Sequence, residues 1–194
     1  MGNTLLSMEA ANMYCGTQPG VNGQNSLHLE LAEVKMPALN EQYVDHRAGG
    51  TPMTIEIDTI FAKPEITFQL LGWDTQVQEL IGSWSQDQNK FWIYGLVRDR
   101  NSGAAIQSIC QVKGRLGLSD PQNFRRGEAM HWNYAVKGIV HYELFLANER
   151  IYFWDFFTNT FVVGTADRNA ELNRALLIST GQQPGTVVGA TVGV

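Results

Sequence analysis

Residues 130–146 alternate apolar and polar side chains over 17 positions. Met130, Trp132, Tyr134, Val136, Val140, Tyr142, Leu144 and Leu146 hold one parity, with Gly138 in step. His131, Asn133, Lys137, His141 and Glu143 fall between them. A period of two marks a strand with one buried face. Ordinary strands run about 5–6 residues. A strand this long, in a chain of 194 residues, needs many backbone partners, and some are expected on other chains.

The rest of the chain reads as more strands with little helix. Nineteen Gly against 6 Pro suits a turn-rich β protein of one domain. Residues 1–26 are polar and Gly-rich and are expected to form an arm with little regular structure. Over residues 28–36 the apolar parity changes from Leu27, Leu29 and Leu31 to Val34 and Met36, which predicts a bulge or bend at Ala32-Glu33. Residues 38–52 predict a long loop or protruding hairpin. Met53, Ile55 and Ile57, then Ile66, Phe68 and Leu70, predict two half-buried strands. Asp74 caps a predicted short helix over 74–81, with Val77, Leu80 and Ile81 on one face and Gly82 as its stop. Residues 90–98 are apolar on both faces, as in an interior strand. A turn at Asn101-Ser102-Gly103 leads to a strand carrying Ile106, Cys110, Val112 and Leu116. A polar loop over 119–127 precedes the long strand, and Asn148-Glu149-Arg150 turns it back into 151–157. A second helix is expected from Asp167 to about Ile178, with Leu172, Ala175, Leu176 and Ser179 aligned. Residues 185–194 are almost entirely Gly, Val and Thr, a composition suited to disorder or to adding a strand to a neighbour. The predicted architecture is mainly β: two packed sheets or a β-barrel-like arrangement with a flanking helix and a second short helix. Its divisions are an arm (1–26), a β domain (27–180) and a tail (181–194).

Charge and composition exclude several classes. Fourteen Lys and Arg against 19 Asp and Glu give a net charge of −5. Such a surface does not hold nucleic acid by neutralising phosphates, although it can face DNA without retaining it. Cys15 and Cys110 share no metal or redox spacing and are expected to be unpaired thiols. No apolar run approaches the ~18 residues of a membrane helix. The N-terminus lacks the pattern of a signal peptide, so the protein is expected to stay in a cytosol until something larger carries it away.

Catalytic chemistry finds little support. His131 and His141 share a strand face, but ten residues span ~33 Å. His28 and His46 have no ligands at metal spacing, and no metal or cofactor is expected. Asp155, set in the run Tyr152-Phe153-Trp154-Asp155-Phe156-Phe157, is expected to cap or pair at a strand end rather than to act as a raised-pKa acid. No nucleophile elbow or phosphate loop is present. Arg98, Arg100, Arg125 and Arg126 form isolated spots, not a basic stripe. Trp92, Trp132 and Trp154 are expected in the core before any binding groove.

In order, the segments resemble the major tail tube proteins of contractile-tailed bacteriophages. The resemblance rests on Ala11-Asn12-Met13-Tyr14-Cys15-Gly16, His28-Leu29-Glu30-Leu31, Glu33-Val34-Lys35-Met36-Pro37 and His46-Arg47-Ala48-Gly49-Gly50. It continues through Ile55-Glu56-Ile57, Phe68-Gln69-Leu70-Leu71-Gly72-Trp73-Asp74 and Tyr94-Gly95-Leu96-Val97-Arg98-Asp99. Gly114-Arg115-Leu116-Gly117, Phe124-Arg125-Arg126-Gly127-Glu128, His141-Tyr142-Glu143-Leu144 and Asp155-Phe156-Phe157-Thr158 complete it, ahead of Asn173-Arg174. It covers about residues 10–180. It implies a non-enzymatic virion protein: hexameric rings stacked into a hollow tube inside a sheath, assembled in the host bacterial cytoplasm. The implied partners are further copies of the chain, the tail sheath protein, the tape measure protein, baseplate tube-initiator proteins and a tail terminator. DNA would pass through the lumen without specific binding, and no membrane anchor is implied.

Strand geometry is compatible with such a tube. Six chains giving four tilted strands each, at ~6 Å per strand, make a circumference of about 150 Å, and with side chains a clear bore of roughly 38 Å. The candidate lumen-facing residues are Glu56 and Asp58, or Glu65, Thr67 and Gln69. The candidate inter-ring contact loop comprises Glu41, Gln42, Tyr43, Asp45, His46, Arg47, Gly49 and Gly50. The alternatives are a type VI secretion-like inner tube protein and, from another class, a β-sandwich ligand-binding module using the Trp-rich strands.

Overall fold

The alternating patterns become strands of one large sheet in the computed structural model, which describes residues 5–16, 26–47, 49–50, 52–82, 88–123 and 125–178. Residues 1–4 and 17–25 of the expected arm, and the whole Gly/Val/Thr tail, lie outside the described residues. The strands are β1 (Leu6–Cys15), β2 (Leu31–Lys35), β3 (Glu41–Arg47), β4 (Thr54–Phe61), β5 (Ile66–Leu71), β6 (Asn89–Asp99), β7 (Ala105–Pro121), β8 (His131–Leu146), β9 (Glu149–Asp155), β10 (Thr160–Val163) and β11 (Ala166–Asp167). The two helices are α1 (Thr75–Glu79) and α2 (Ala170–Ala175). Nine strands form one sheet in the order β1-β6-β7-β8-β9-β10-β11, with β5 also pairing β8 and β2 pairing β5. β3 and β4 form a separate two-stranded sheet. All pairings are antiparallel.

The long strand finds its partners within its own chain, contrary to the expectation of partners elsewhere. β7, itself 17 residues long, runs along one side of β8. On the other side, residues 131–136 pair with β5 and residues 141–146 with β9. The change of partner occurs around Gly138. Its φ of +58° lies where a side chain would be strained, so the glycine acts as a bend and not merely as a residue in step. Ile139, of the opposite parity, is buried there. β8 thus carries the sheet around two sides of one core built from Met13, Phe91, Ile93, Val112, Tyr134 and Tyr142, with their neighbours. Each such side chain contributes roughly 1.5–3 kcal/mol by leaving water. The sheet curls until residues 26–27, ahead of β2, approach β1. There the Leu27 N–H donates to the Met13 carbonyl at 3.0 Å, and Tyr14 bridges Ser26. Among the described residues, no continuous ladder closes the curl.

Several local expectations match. A register shift between Leu31 and Glu33 puts the bulge at Ala32. β5 is half-buried, with Ile66, Phe68 and Leu70 inward. The Asp74 side chain accepts from the Val77 N–H at 2.8 Å and caps α1. β6 is interior, flanked by β1 and β7. α1 is pinned by a polar chain: Trp132 Nε1 donates to Ser119 Oγ at 2.7 Å, Ser119 to Gln78 Oε1 at 3.1 Å, and Gln78 Nε2 to the Tyr134 hydroxyl at 2.9 Å. Cys15 and Cys110 are free thiols in the core, and burial pushes both up, Cys110 to about 12.

Other expectations are corrected. Residues 6–15 of the supposed arm are strand β1, paired with β6 from Leu6 opposite Asp99 to Cys15 opposite Phe91. A register shift between Met8 and Ala10 breaks the apolar period, which hid the strand. The β8–β9 turn is Ala147-Asn148, both with positive φ as a two-residue hairpin demands, one position earlier than expected. β4 is exposed along its whole length, not half-buried: among the described residues it pairs only with β3, apart from the main sheet. α2 is shorter than expected, and its leucines face outward.

Candidate assembly interface

The β3–β4 hairpin is amphipathic in a way only its register reveals. Val44 stands opposite Ile57 and His46 opposite Ile55, while Asp45 stands opposite Glu56 and Tyr43 opposite Asp58. Cross-strand partners share a face. One face therefore carries Val44, His46, Ile55 and Ile57, and the other Tyr43, Asp45, Arg47, Glu56 and Asp58. A register shift at Gln42/Tyr43 leaves Thr59 as the extra residue, and its hydroxyl donates to the Gln42 carbonyl at 3.0 Å. Beyond it, Gln42 pairs with Ile60. Val44, Ile55, Ile57 and Ile60 are all exposed. An isolated two-stranded sheet is marginal in water, and an aliphatic face left open on one is a surface built to be covered.

The hairpin joins the body at its root. The Ala62 N–H donates to the Asn40 carbonyl at 2.7 Å, and Phe61 meets Phe161 edge-on at 5.1 Å. Beside that contact lies an open cleft of about 710 Å³, walled by Ile60, Phe61, Ile139, Trp154 and Phe161.

The contact-loop residues Glu41, Gln42, Tyr43, Asp45, His46 and Arg47 lie along β3, and Gly49 and Gly50 in the turn at the tip. The Tyr43 hydroxyl donates to the Glu41 carboxylate, which pushes the phenol above its ordinary pKa. The two candidate lumen sets part company. Glu56 and Asp58 join Tyr43 and Asp45 on the polar face of the hairpin. Glu65 pairs with Lys137 at 3.9 Å, Gln69 donates to Asn133 Oδ1 at 2.8 Å, and Thr67 is exposed between them on the outer face of β5.

A second uncovered surface was not foreseen. α2 is inverted: Asn173 is its buried residue, at 3% exposure, while Leu172 and Leu176 stand out at 49% and 61%. Asn159 explains this. Its side chain donates to Asn173 Oδ1 at 2.7 Å, and its carbonyl accepts from Asn173 Nδ2 at 2.9 Å and from Asn169 Nδ2 at 3.1 Å. Asn169 and Asn173 recur at the same four-residue spacing as Leu172 and Leu176, so periodicity alone gives two equal stripes. Phe156 and Phe157, which meet edge-on, also project, at 64% and 73% exposure.

Asp155 holds the turn that carries these phenylalanines, as its expected capping role requires. One carboxylate oxygen accepts from the Thr158 N–H at 2.9 Å and from the Thr158 hydroxyl at 3.1 Å; the other meets His141 Nδ1 at 3.0 Å. Burial works against the His141 imidazolium, but Glu143, 3.9 Å from Nε2, and Asp155 outweigh it and raise its pKa. Burial likewise opposes the Asp155 carboxylate, while the Thr158 and His141 bonds hold its pKa below the ordinary value. A raised histidine pKa contributes stability that is complete below the ordinary value near 6.5 and is lost as pH rises through the folded value. The melting temperature is therefore expected to fall as pH rises through that window. His141→Gln should flatten the profile; an unchanged slope in that variant would remove His141 as the cause.

The fold defines a β-rich class of chain with an exposed aliphatic hairpin and a helix whose leucines face outward. The chain belongs to the phage tail tube protein FII family, whose model matches residues 17–177. Among solved structures, a chain of the 6-fold symmetrised anti-feeding prophage baseplate matches with a TM-score of 0.50 at 8% identity, covering 70% of this chain and 90% of that one. The sheath-tube complex of an extracellular contractile injection system, in its extended state, gives 0.49 at 9% identity over 70% and 88%. Hcp1 from Salmonella typhimurium gives 0.43 at 12% over 79% and 100%. At such identities the likeness is one of fold. Comparison with curated protein sequences finds no match.

Proposed function

We propose that the chain is the repeating protomer of the inner tube of a contractile phage tail: six copies form a ring, rings stack, and the bore conducts DNA during ejection. It acts as a building block and not as an enzyme. Family membership and the uncovered amphipathic hairpin carry this reading. The in-plane contact closes, while the axial contact stays open and gives a filament. The hairpin's aliphatic face (Val44, Ile55, Ile57) packs on a neighbouring copy, with Glu41, Gln42, His46, Arg47, Gly49 and Gly50 making the ring-to-ring contact. Tyr43, Asp45, Glu56 and Asp58 on the opposite face are the lumen candidates favoured over Glu65, Thr67 and Gln69, two of which already have partners on their own chain. Fixed carboxylates along a bore repel phosphate and keep DNA from sticking.

The outer surface of the tube meets the sheath protein; the tape measure, baseplate initiator and terminator proteins bound its length and ends. The tube domain begins with β1 at Leu6, which the main sheet includes, and runs through α2. Assembly takes place in the host cytoplasm. Negative-stain electron microscopy of the concentrated protein tests this reading. Sixfold rings or hollow tubes are expected, with or without added baseplate nuclei. A monomer that stays monomeric when nuclei are added would overturn it.

A further inference from the structure

α2 is held to the body by amides and not by apolar burial. Its six residues bury only Asn173, and none of them belongs to the hydrophobic core. Leu172 within it, and Leu176 and Leu177 just after it, are exposed. So short a helix does not hold itself together in water. Asn159 fastens it, from a φ of +48° that asparagine tolerates better than most residues. Its side chain donates to Asn173 Oδ1, and its carbonyl accepts from Asn169 Nδ2 and Asn173 Nδ2. Asn159 itself ends the turn that Asp155 holds through Thr158, and its N–H donates to the Phe156 carbonyl at 3.3 Å. Asp155 is held in turn by His141. A continuous chain of hydrogen bonds thus runs from His141 on β8 through Asp155 and its turn to Asn159 and α2.

We infer that α2 is a detachable latch hung on Asn159, and that the charge on His141 sets how firmly it is fastened. Glu143 on its own strand, Asp155 on β9 and Lys113, opposite in register on β7, face His141. Phe153, which His141 meets edge-on, carries the Arg150 guanidinium over its ring. Histidine is the one side chain of this set whose charge ordinarily changes between about pH 5 and about pH 8. With the imidazole charged, Asp155 has a charge-assisted partner and its turn is tight. With the imidazole neutral, a part-buried carboxylate has less to offset its lost water, and the turn that presents Asn159 loosens. α2 then unravels more often while the core stays closed. The latch belongs to the single protomer and is independent of the tube reading.

Hydrogen–deuterium exchange of the full chain, corrected for the intrinsic pH dependence of amide exchange, tests this. Asn173, Leu176 and Ile178 donate the backbone bonds of the helix and its end, and buried Ile93 in β6 serves as the core reference. The α2 amides are expected to be less protected than Ile93, and to open ~5-fold more often at about pH 8.5 than at about pH 5. His141→Gln should remove that pH dependence. Asn159→Gly keeps the backbone conformation accessible but deletes the amide, and should raise α2 opening ~5-fold or more with Ile93 unchanged. Helix amides as protected as Ile93 would mean that α2 opens only with the whole fold, and would overturn the inference. So would α2 opening that ignores pH, that keeps its pH dependence in His141→Gln, or that is unchanged in Asn159→Gly.

Discussion

Replacing Ile55 and Ile57 together with aspartate is expected to leave the protomer folded and to abolish its assembly. Both side chains are exposed, at 58% and 43%, on a strand that lies outside the main sheet. The core of Met13, Phe91, Ile93, Val112, Tyr134 and Tyr142 does not use them. The monomer therefore loses little beyond strand propensity, about 1 kcal/mol or less. In the assembly each isoleucine gives up about 1.5–3 kcal/mol of burial, and each aspartate adds a charge that would have to lose its water. A loss of about 4 kcal/mol per contact already weakens association by roughly a thousandfold. Circular dichroism with a thermal melt reads the first half of this expectation, and sedimentation velocity with electron microscopy the second. The control lies one residue away. Glu56→Gln with Asp58→Asn removes charge from the opposite face and should leave assembly intact, because the proposed role of that face is to repel phosphate. If the aspartate variant assembled normally, the aliphatic face would lose its role; if it unfolded, the hairpin would be part of the fold.

The largest expected loss of stability comes from a glycine in β7. A Cβ on Gly114 would lie 2.9 Å from Val136 Cγ1, 3.1 Å from the Lys137 carbonyl oxygen and 3.2 Å from Ile139 Cγ1. All three atoms belong to the stretch of β8 that bends at Gly138, and the β7–β8 register shifts at the same place, between Lys113 and Arg115. Val136 and Ile139 are themselves core residues, so none of the three is the loose end of a flexible side chain. Gly114→Val is therefore expected to cost about 3 kcal/mol by overpacking. That corresponds to a fall in melting temperature of roughly 6–12 °C for a chain of this size. The effect should appear in the monomer, before any assembly. Gly103→Ala meets no atom within 4 Å but sits at a φ of +73°, so it should cost only about 1 kcal/mol. Equal losses in the two variants would mean that β7 does not approach β8 closely at Gly114.

Much of this fold is legible in the chain because half-buried strands alternate. Residues 130–146, the phase slip at Ala32 and the Asp74 cap all carry local signals whose physics is complete within a few residues. Three features were not legible, each for a different reason. β1 interrupts its own period with a bulge near Glu9. The exposure of β4 follows from what the rest of the chain fails to cover, which the pattern Ile55-Glu56-Ile57 does not encode; the same alternation describes a strand on a core and a strand awaiting a neighbour. The inversion of α2 depends on Asn159, ten or more residues away from its partners Asn169 and Asn173, so the inward stripe was chosen by a tertiary bond. Residues 38–52 were legible only as a long loop or protruding hairpin; the pairing of 41–47 with 54–61, and its division into an aliphatic and an acidic face, required the register of Val44 with Ile57 and of Asp45 with Glu56.

A helical reconstruction by cryo-electron microscopy of tubes assembled from this chain tests the central claim most directly. Six copies per ring around an open bore wider than a DNA duplex are expected. The hairpin of each copy should be buried through Val44, Ile55 and Ile57 against its neighbour, with Glu56 and Asp58 toward the bore. An ordered assembly without a channel, or one in which the hairpins remain uncovered on the outside, would contradict it.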